Sequence, residues 1–141
     1  MTNEPEHRAA CLCGQLAITV NGQPDVTIAC NCFKCQQRTG APFGVGAYYR
    51  RETVVSVDGM SKEYGRTADS GRGLTNHFCP DCGTTVYWSL EMRPEHLGIS
   101  AGCFADPDLA APARTIWTEN KHHWITFPDD LPAFDKAVPE S

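Results

Sequence analysis

The stretch that decides this chain is Cys30-Asn31-Cys32-Phe33-Lys34-Cys35, in which three thiols fall within six residues. A globular core has no use for thiols at that density, and they read as metal ligands. Side chains of an extended segment alternate with a period of two, so Cys30 and Cys32 share one face and Cys35 joins them through a CxxC turn. Three sulfurs this close in sequence cap one side of a tetrahedral Zn2+ and leave its fourth position to another group or to water. Cys30, Cys32 and Cys35 are therefore the candidate open, catalytic site.

A second set brackets the first, with Cys11-Leu12-Cys13-Gly14 before it and Cys79-Pro80-Asp81-Cys82-Gly83 after it. Two thiolates from each would make a closed site of Cys11, Cys13, Cys79 and Cys82 that ties remote parts of the chain together. The glycine after each pair permits the turn that brings backbone amides to sulfur. The expected complement is two Zn2+ per chain, one structural and one open.

On these residues the order CxCG, CxCxxC, FCxxCGT resembles the glutathione-dependent formaldehyde-activating family, which also includes a centromere protein. The flanks agree: Thr39-Gly40-Ala41-Pro42-Phe43 after the trio, Phe78 ahead of the last pair, Trp117 and Trp124, and Pro128-Asp129-Asp130-Leu131-Pro132. The resemblance covers roughly residues 8 to 135. It implies a mostly antiparallel, zinc-stapled β fold similar to the zinc-containing guanine-nucleotide-exchange chaperones. It also implies a carbon-sulfur lyase-type activity, in which glutathione adds to formaldehyde to give S-(hydroxymethyl)glutathione, or the reverse. The chain departs from its relatives at Gly102-Cys103-Phe104-Ala105-Asp106, where they carry a hydroxyl residue followed by Leu-Asp. Cys103 has two readings: a fourth ligand that closes the three-cysteine site, or a buried free thiol.

Composition sets the frame. A chain of 141 residues reads as one domain over 10–135, between a loose tail over 1–9 and another over 136–141. Ten prolines and twelve glycines favour short strands and turns, so the expected class is mainly β with short helical turns. The formal net charge is −5, and two Zn2+ held by seven thiolates take it to about −8. That balance argues against nucleic acid, because displacing counterions needs a basic stripe, and Arg50-Arg51 reads as solvated charge. The N-terminus lacks an apolar signal region and the chain lacks a membrane-length apolar run. Clustered cysteines then point to a reducing cytosol and to metal over disulfides.

Along the chain, Leu16, Ile18 and Val20 alternate, as do Val26, Ile28 and Cys30, with turn residues between, which predicts a hairpin. That pairing would set Cys11 and Cys13 beside Cys30 and Cys32. Further strands are expected at 43–49, 53–57, 61–64, 84–88, 96–101 and 115–117, with a helical turn at 36–39. The stretch 65–73, GRTADSGRG, is either an exposed hairpin loop or a lid. Lys34 and Arg38 beside the trio are candidates to meet the carboxylates of a thiol substrate. His77, His122 and His123 lack metal-ligand spacing and read as surface or supporting groups. Trp88, Trp117 and Trp124 read as core or pocket walls.

Chemistry favours thiol handling. A zinc-bound thiol is deprotonated at neutral pH, and three thiolates make the ion a weaker Lewis acid than three neutral histidines do. The expected partner is a small thiol such as glutathione. A non-catalytic zinc module for a protein or a small thiol is the other class consistent with the same residues.

Overall fold

Strand β3 (Val26–Cys30) illustrates how alternation builds this protein: Thr27 and Ala29 are buried, while Val26, Ile28 and Cys30 face a more open side. The computed structural model describes residues 4–68 and 71–137. In chain order the other strands are β1 (Glu6–Ala10), β2 (Ala17–Asn21), β4 (Gly44–Arg50), β5 (Val54–Asp58), β6 (Lys62–Thr67), β7 (Gly73–Phe78), β8 (Thr85–Leu90), β9 (His96–Ser100) and β10 (Arg114–Ile116). One α-helix, α1 (Phe33–Thr39), follows β3. The class is mainly β, as expected. The strands form a three-stranded sheet, β1-β2-β5, and a seven-stranded sheet, β10-β3-β4-β9-β8-β7-β6, antiparallel except where β10 runs parallel to β3.

The expected hairpin does not form. β2 pairs with β1 and β5, whereas β3 pairs with β4 and β10, so the two strands lie in different sheets. Gly22 turns the chain at φ 76° and donates its N–H to Pro5 O, and Asp25 N–H then bonds Tyr48 O to start β3 on β4. A period of two says that one face of each strand is buried, but not which neighbour supplies the backbone partners. No hairpin therefore brings Cys11 and Cys13 to Cys30 and Cys32.

Part of the tail expected over residues 1–9 is a strand, while residues 1–3 lie outside the described residues. Glu6–Ala10 pairs with β2 from Glu6↔Asn21 to Ala10↔Ala17, and Ala9 is fully buried. Its charged residues disguise a strand, yet an edge strand carries charge without penalty. At the other end Trp117 N–H bonds Lys136 O, and residues 138–141 of the second expected tail lie outside the described residues. In the stretch 65–73, residues 65–67 and 73 belong to strands β6 and β7, leaving a short connection of which residues 69 and 70 are outside the described residues.

Ile18 and Val20 of the small sheet, with Leu16 just ahead of β2, pack with Ala47, Tyr49, Leu97 and Ile99 of the large one, all buried. Each large aliphatic side chain there contributes about 1.5–3 kcal/mol of burial. Tyr49 spends its hydroxyl on Gly22 O at 3.1 Å, so the polar end is satisfied. The core thus consumes one face of β3, β4 and β9 and leaves the other, carrying Cys30, free for a site.

Candidate metal centre

Two short turns build the four-cysteine cluster. In the first, Cys11 N–H bonds Leu16 O, Gly14 N–H bonds Cys11 O, and Gly14 sits at φ 85°. In the second, Cys79 N–H bonds Thr84 O, Gly83 N–H bonds Cys79 O, and Gly83 sits at φ 80°. The sulfurs of Cys11, Cys13, Cys79 and Cys82 lie within 4.8 Å of one another, with Cys11–Cys13 at 3.6 Å and Cys13–Cys79 at 3.7 Å. A tetrahedral ion with Zn–S bonds near 2.3 Å requires sulfurs about 3.8 Å apart, so the spacing fits.

Donors already face these sulfurs. Leu16 N–H points at Cys11 Sγ, Asp81 N–H and Gln15 Nε2 point at Cys79 Sγ, and the Thr84 hydroxyl pairs with Cys82 Sγ. The Thr84 hydroxyl first, then its backbone amide, draws the Cys82 thiol down to about 5. At Cys79 burial works upward, yet the amides of Cys82, Gln15 and Asp81 bring the thiol below its ordinary range. Such donors stabilise sulfur as thiolate, the form that ligates metal.

The three-cysteine cluster caps the end of β3. Cys30, Cys32 and Cys35 also place their sulfurs within 4.8 Å of one another, and among the described residues no fourth cysteine, histidine or carboxylate joins them. Cys32 is the N-cap of α1 and accepts Cys35 N–H at 3.3 Å, so the helix begins on the sulfur itself, one turn earlier than the expected 36–39. Gly40 ends it in the left-handed region at φ 65°, donating to Gln36 O. Between Cys30 and Cys32, Asn31 is fully buried and donates Nδ2 to both Thr115 Oγ1 and Ile116 O at 2.8 Å, pinning the CxC run to β10. Gln36 Nε2 bonds Asn31 O and Asn120 O, which locks the same corner from the helix.

Protons are shared unequally among the three. The Cys30 thiol first, then Cys35, hold Cys32 down to about 2, with the Arg66 charge assisting, and Cys30 is pushed far up by its bond to Cys32. Cys35 rests at about 11, where its bond with Cys30 pulls down and that with Cys32 pushes up. One thiolate and two thiols make a donor set ready for a divalent cation.

Beside the cluster, Arg38 extends from α1 over the Trp88 ring, 4.2 Å from its centroid, and its buried Nε meets no protein acceptor among the described residues. Both groups lie over glycines. A Cβ at Gly44 would stand 2.6 Å from an Arg38 guanidinium nitrogen, and one at Gly46 would stand 2.8 Å from Trp88 Cζ2. At Gly98 an added Cβ would overlap the indole of Trp88.

Comparison with known proteins adds to this geometry. The family model described as glutathione-dependent formaldehyde-activating enzyme matches residues 6–120. The chain belongs to that family. Relatives from Fusarium vanettenii and Aspergillus flavus, each named "Putative glutathione-dependent formaldehyde-activating enzyme", are 27% identical over 92 and 99 residues, 65% and 69% of this chain. These alignments cover 48% and 51% of the relatives, so the chain spans about half their length. A crystal structure of a Rhodobacter sphaeroides protein superposes with a TM-score of 0.55 at 18% identity, over 90% of this chain and 98% of that one, which shows a shared fold.

Within this formaldehyde-activating family member the remaining candidates separate. Arg38 lies at the three-cysteine cluster, whereas Lys34 is exposed on the same helix. Cys103 joins neither cluster: its Sγ approaches Thr85 O at 3.9 Å, it packs against the core, and burial raises its thiol. His77 stacks on Tyr87 at 4.4 Å, and His122 packs edge-on against Trp124 at 5.2 Å. The described residues contain no helix long and apolar enough to cross a membrane. The sequence reading missed Asn31, Gln15 and Tyr48. The available signal was glycine at alternate positions 44 and 46 of a strand, which marks a close approach over its face.

Proposed function

We propose that this protein is a zinc-dependent carbon-sulfur lyase-type enzyme that adds a thiol such as glutathione to formaldehyde or a related small carbonyl, or runs the reverse. Cys11, Cys13, Cys79 and Cys82 would hold a structural Zn2+, and Cys30, Cys32 and Cys35 a second one. That second ion, when bound, supplies a deprotonated thiol at neutral pH. The observation that carries the reading is the three-sulfur cluster with no fourth protein ligand among the described residues, beside the Arg38 guanidinium. The Arg38 guanidinium, held in a fixed plane by its stacking on Trp88, suits a substrate carboxylate. Lys34 is the longer-range cation of the same helix. Family membership supports the substrate pair, and the names of the fungal relatives agree with it.

Replacing the metal by cobalt and titrating glutathione tests the reading. The thiolate charge-transfer and ligand-field bands should shift with glutathione in the parent and equally in Cys103→Ser. Bands that ignore glutathione, and change in Cys103→Ser, would instead favour a non-catalytic zinc module.

A further inference from the structure

Strand β4 presents Gly44, Gly46 and Tyr48 on one face, the face it shares with Cys30, since Cys30 pairs with Gly44 and Ile28 with Gly46. A Cβ at Gly44 would lie 3.4 Å from Cys35 Cβ, and one at Gly46 would lie 3.0 Å from Tyr48 Cε2. The Tyr48 ring thus leans back along its own strand toward the cysteines, rather than standing straight off the sheet. Two residues of strand span about 7 Å, so this ring lies roughly one such step from Cys35 and Arg38. Trp88 backs it edge-on, with ring centroids 6.2 Å apart. Gly44, Gly46 and Gly98 bring no side chains of their own to this face, and Arg38, Cys35 and the Tyr48 and Trp88 rings lie directly over them.

The Tyr48 hydroxyl donates to no protein acceptor among the described residues, in contrast to Tyr49, which bonds Gly22 O. Burial pushes it up to about 12, outweighing the downward pull of its hydrogen bond with Trp88, so it keeps its proton at neutral pH. A half-buried phenol with a free proton beside a thiol-handling cluster has one chemical use that packing does not require: donation to an oxygen that becomes anionic.

We propose that Tyr48 is the proton donor to the carbonyl oxygen during thiol addition, an inference that rests on the function proposed above. In the forward direction the thiol first loses its proton to solvent. Its sulfur then forms a bond to the carbonyl carbon, the π electron pair moves to oxygen, and that oxygen takes the Tyr48 proton. Tyr48 regains a proton from solvent, so the sum is thiol plus carbonyl giving the hydroxymethyl thioether, with no redox change. In reverse, tyrosinate removes the hydroxyl proton as the carbon–sulfur bond breaks.

The substitution Tyr48→Phe deletes the hydroxyl and keeps the ring that packs on Trp88. Exchange between free and glutathione-bound formaldehyde, followed by magnetisation-transfer NMR, should lose about 10²- to 10⁴-fold in kcat. The KM for glutathione and the glutathione-induced shift of the cobalt bands should stay at parent values. Tyr48→Leu, which removes the ring as well, should weaken both readouts. Parent-like exchange in Tyr48→Phe overturns the proposal alone, as does a loss confined to glutathione binding. A parent protein with neither band shift nor accelerated exchange sinks the assigned function and the proposal together.

Discussion

Arg38 and Trp88 form a stacked pair, guanidinium carbon 4.2 Å from the ring centroid, with Arg38 three residues along α1 from Cys35 of the three-cysteine cluster. A guanidinium over an aromatic face keeps its in-plane donors available while its position is fixed. Truncating Arg38→Ala should weaken glutathione binding about ten- to a hundredfold, the equivalent of one charge-assisted contact, with both metal ions retained. Arg38→Lys should recover only part of it, because an ammonium lacks the planar fork. Isothermal titration with glutathione, set beside the metal content of each variant, checks both statements.

Gln15 connects the four-cysteine cluster to the turn after β5. Its Nε2 donates to Met60 O at 2.6 Å and to Cys79 Sγ at 3.1 Å, while Oε1 accepts Met60 N–H at 3.0 Å. Gln15→Leu keeps the bulk and removes all three. Unfolding free energy of the metal-loaded protein should fall by about 1–3 kcal/mol, and a chelator should release the structural ion faster. Denaturant titration and chelator kinetics measure these, and parent-like values in both would show that the contacts are incidental.

Gly98 is required by what lies over it. The Trp88 indole occupies the place of a Cβ, so Gly98→Ala must displace the ring from a position where it is 3% exposed. The cost should be about 1–3 kcal/mol, with altered tryptophan fluorescence and a weakened Arg38 stack. Thermal unfolding monitored by fluorescence would reveal it.

The protons on the three-cysteine cluster give a pH dependence with a definite sign. Cys30 and Cys35 are raised above the ordinary thiol range and so are protonated at neutral pH, and only Cys32 is already anionic. A divalent ion must displace about two protons, so its affinity should rise about a hundredfold per unit between about pH 6 and 8 and fall away as acid is added. Competition against a chelator of known proton chemistry measures the slope. A flat profile would mean that the thiols ionise before the metal arrives.

How far the sequence went can be read from particular residues. The seven spaced cysteines, the glycines after two of the pairs and the alternating strands foretold the donor sets and the mainly β class, because ligand spacing and side-chain period are local properties of a chain. The partner of β2, the strand hidden in Glu6–Ala10 and the convergence of Arg38, Trp88 and Tyr48 over Gly44 and Gly46 were decided by tertiary structure alone. Burial tells a strand which face to turn inward but leaves its edge neighbours degenerate. A cluster of side chains drawn from strands dozens of residues apart exists only once the large sheet has settled those neighbours. The clustering of the cysteines was therefore written in the sequence, whereas the surroundings that the proposed chemistry needs belong to the folded sheet.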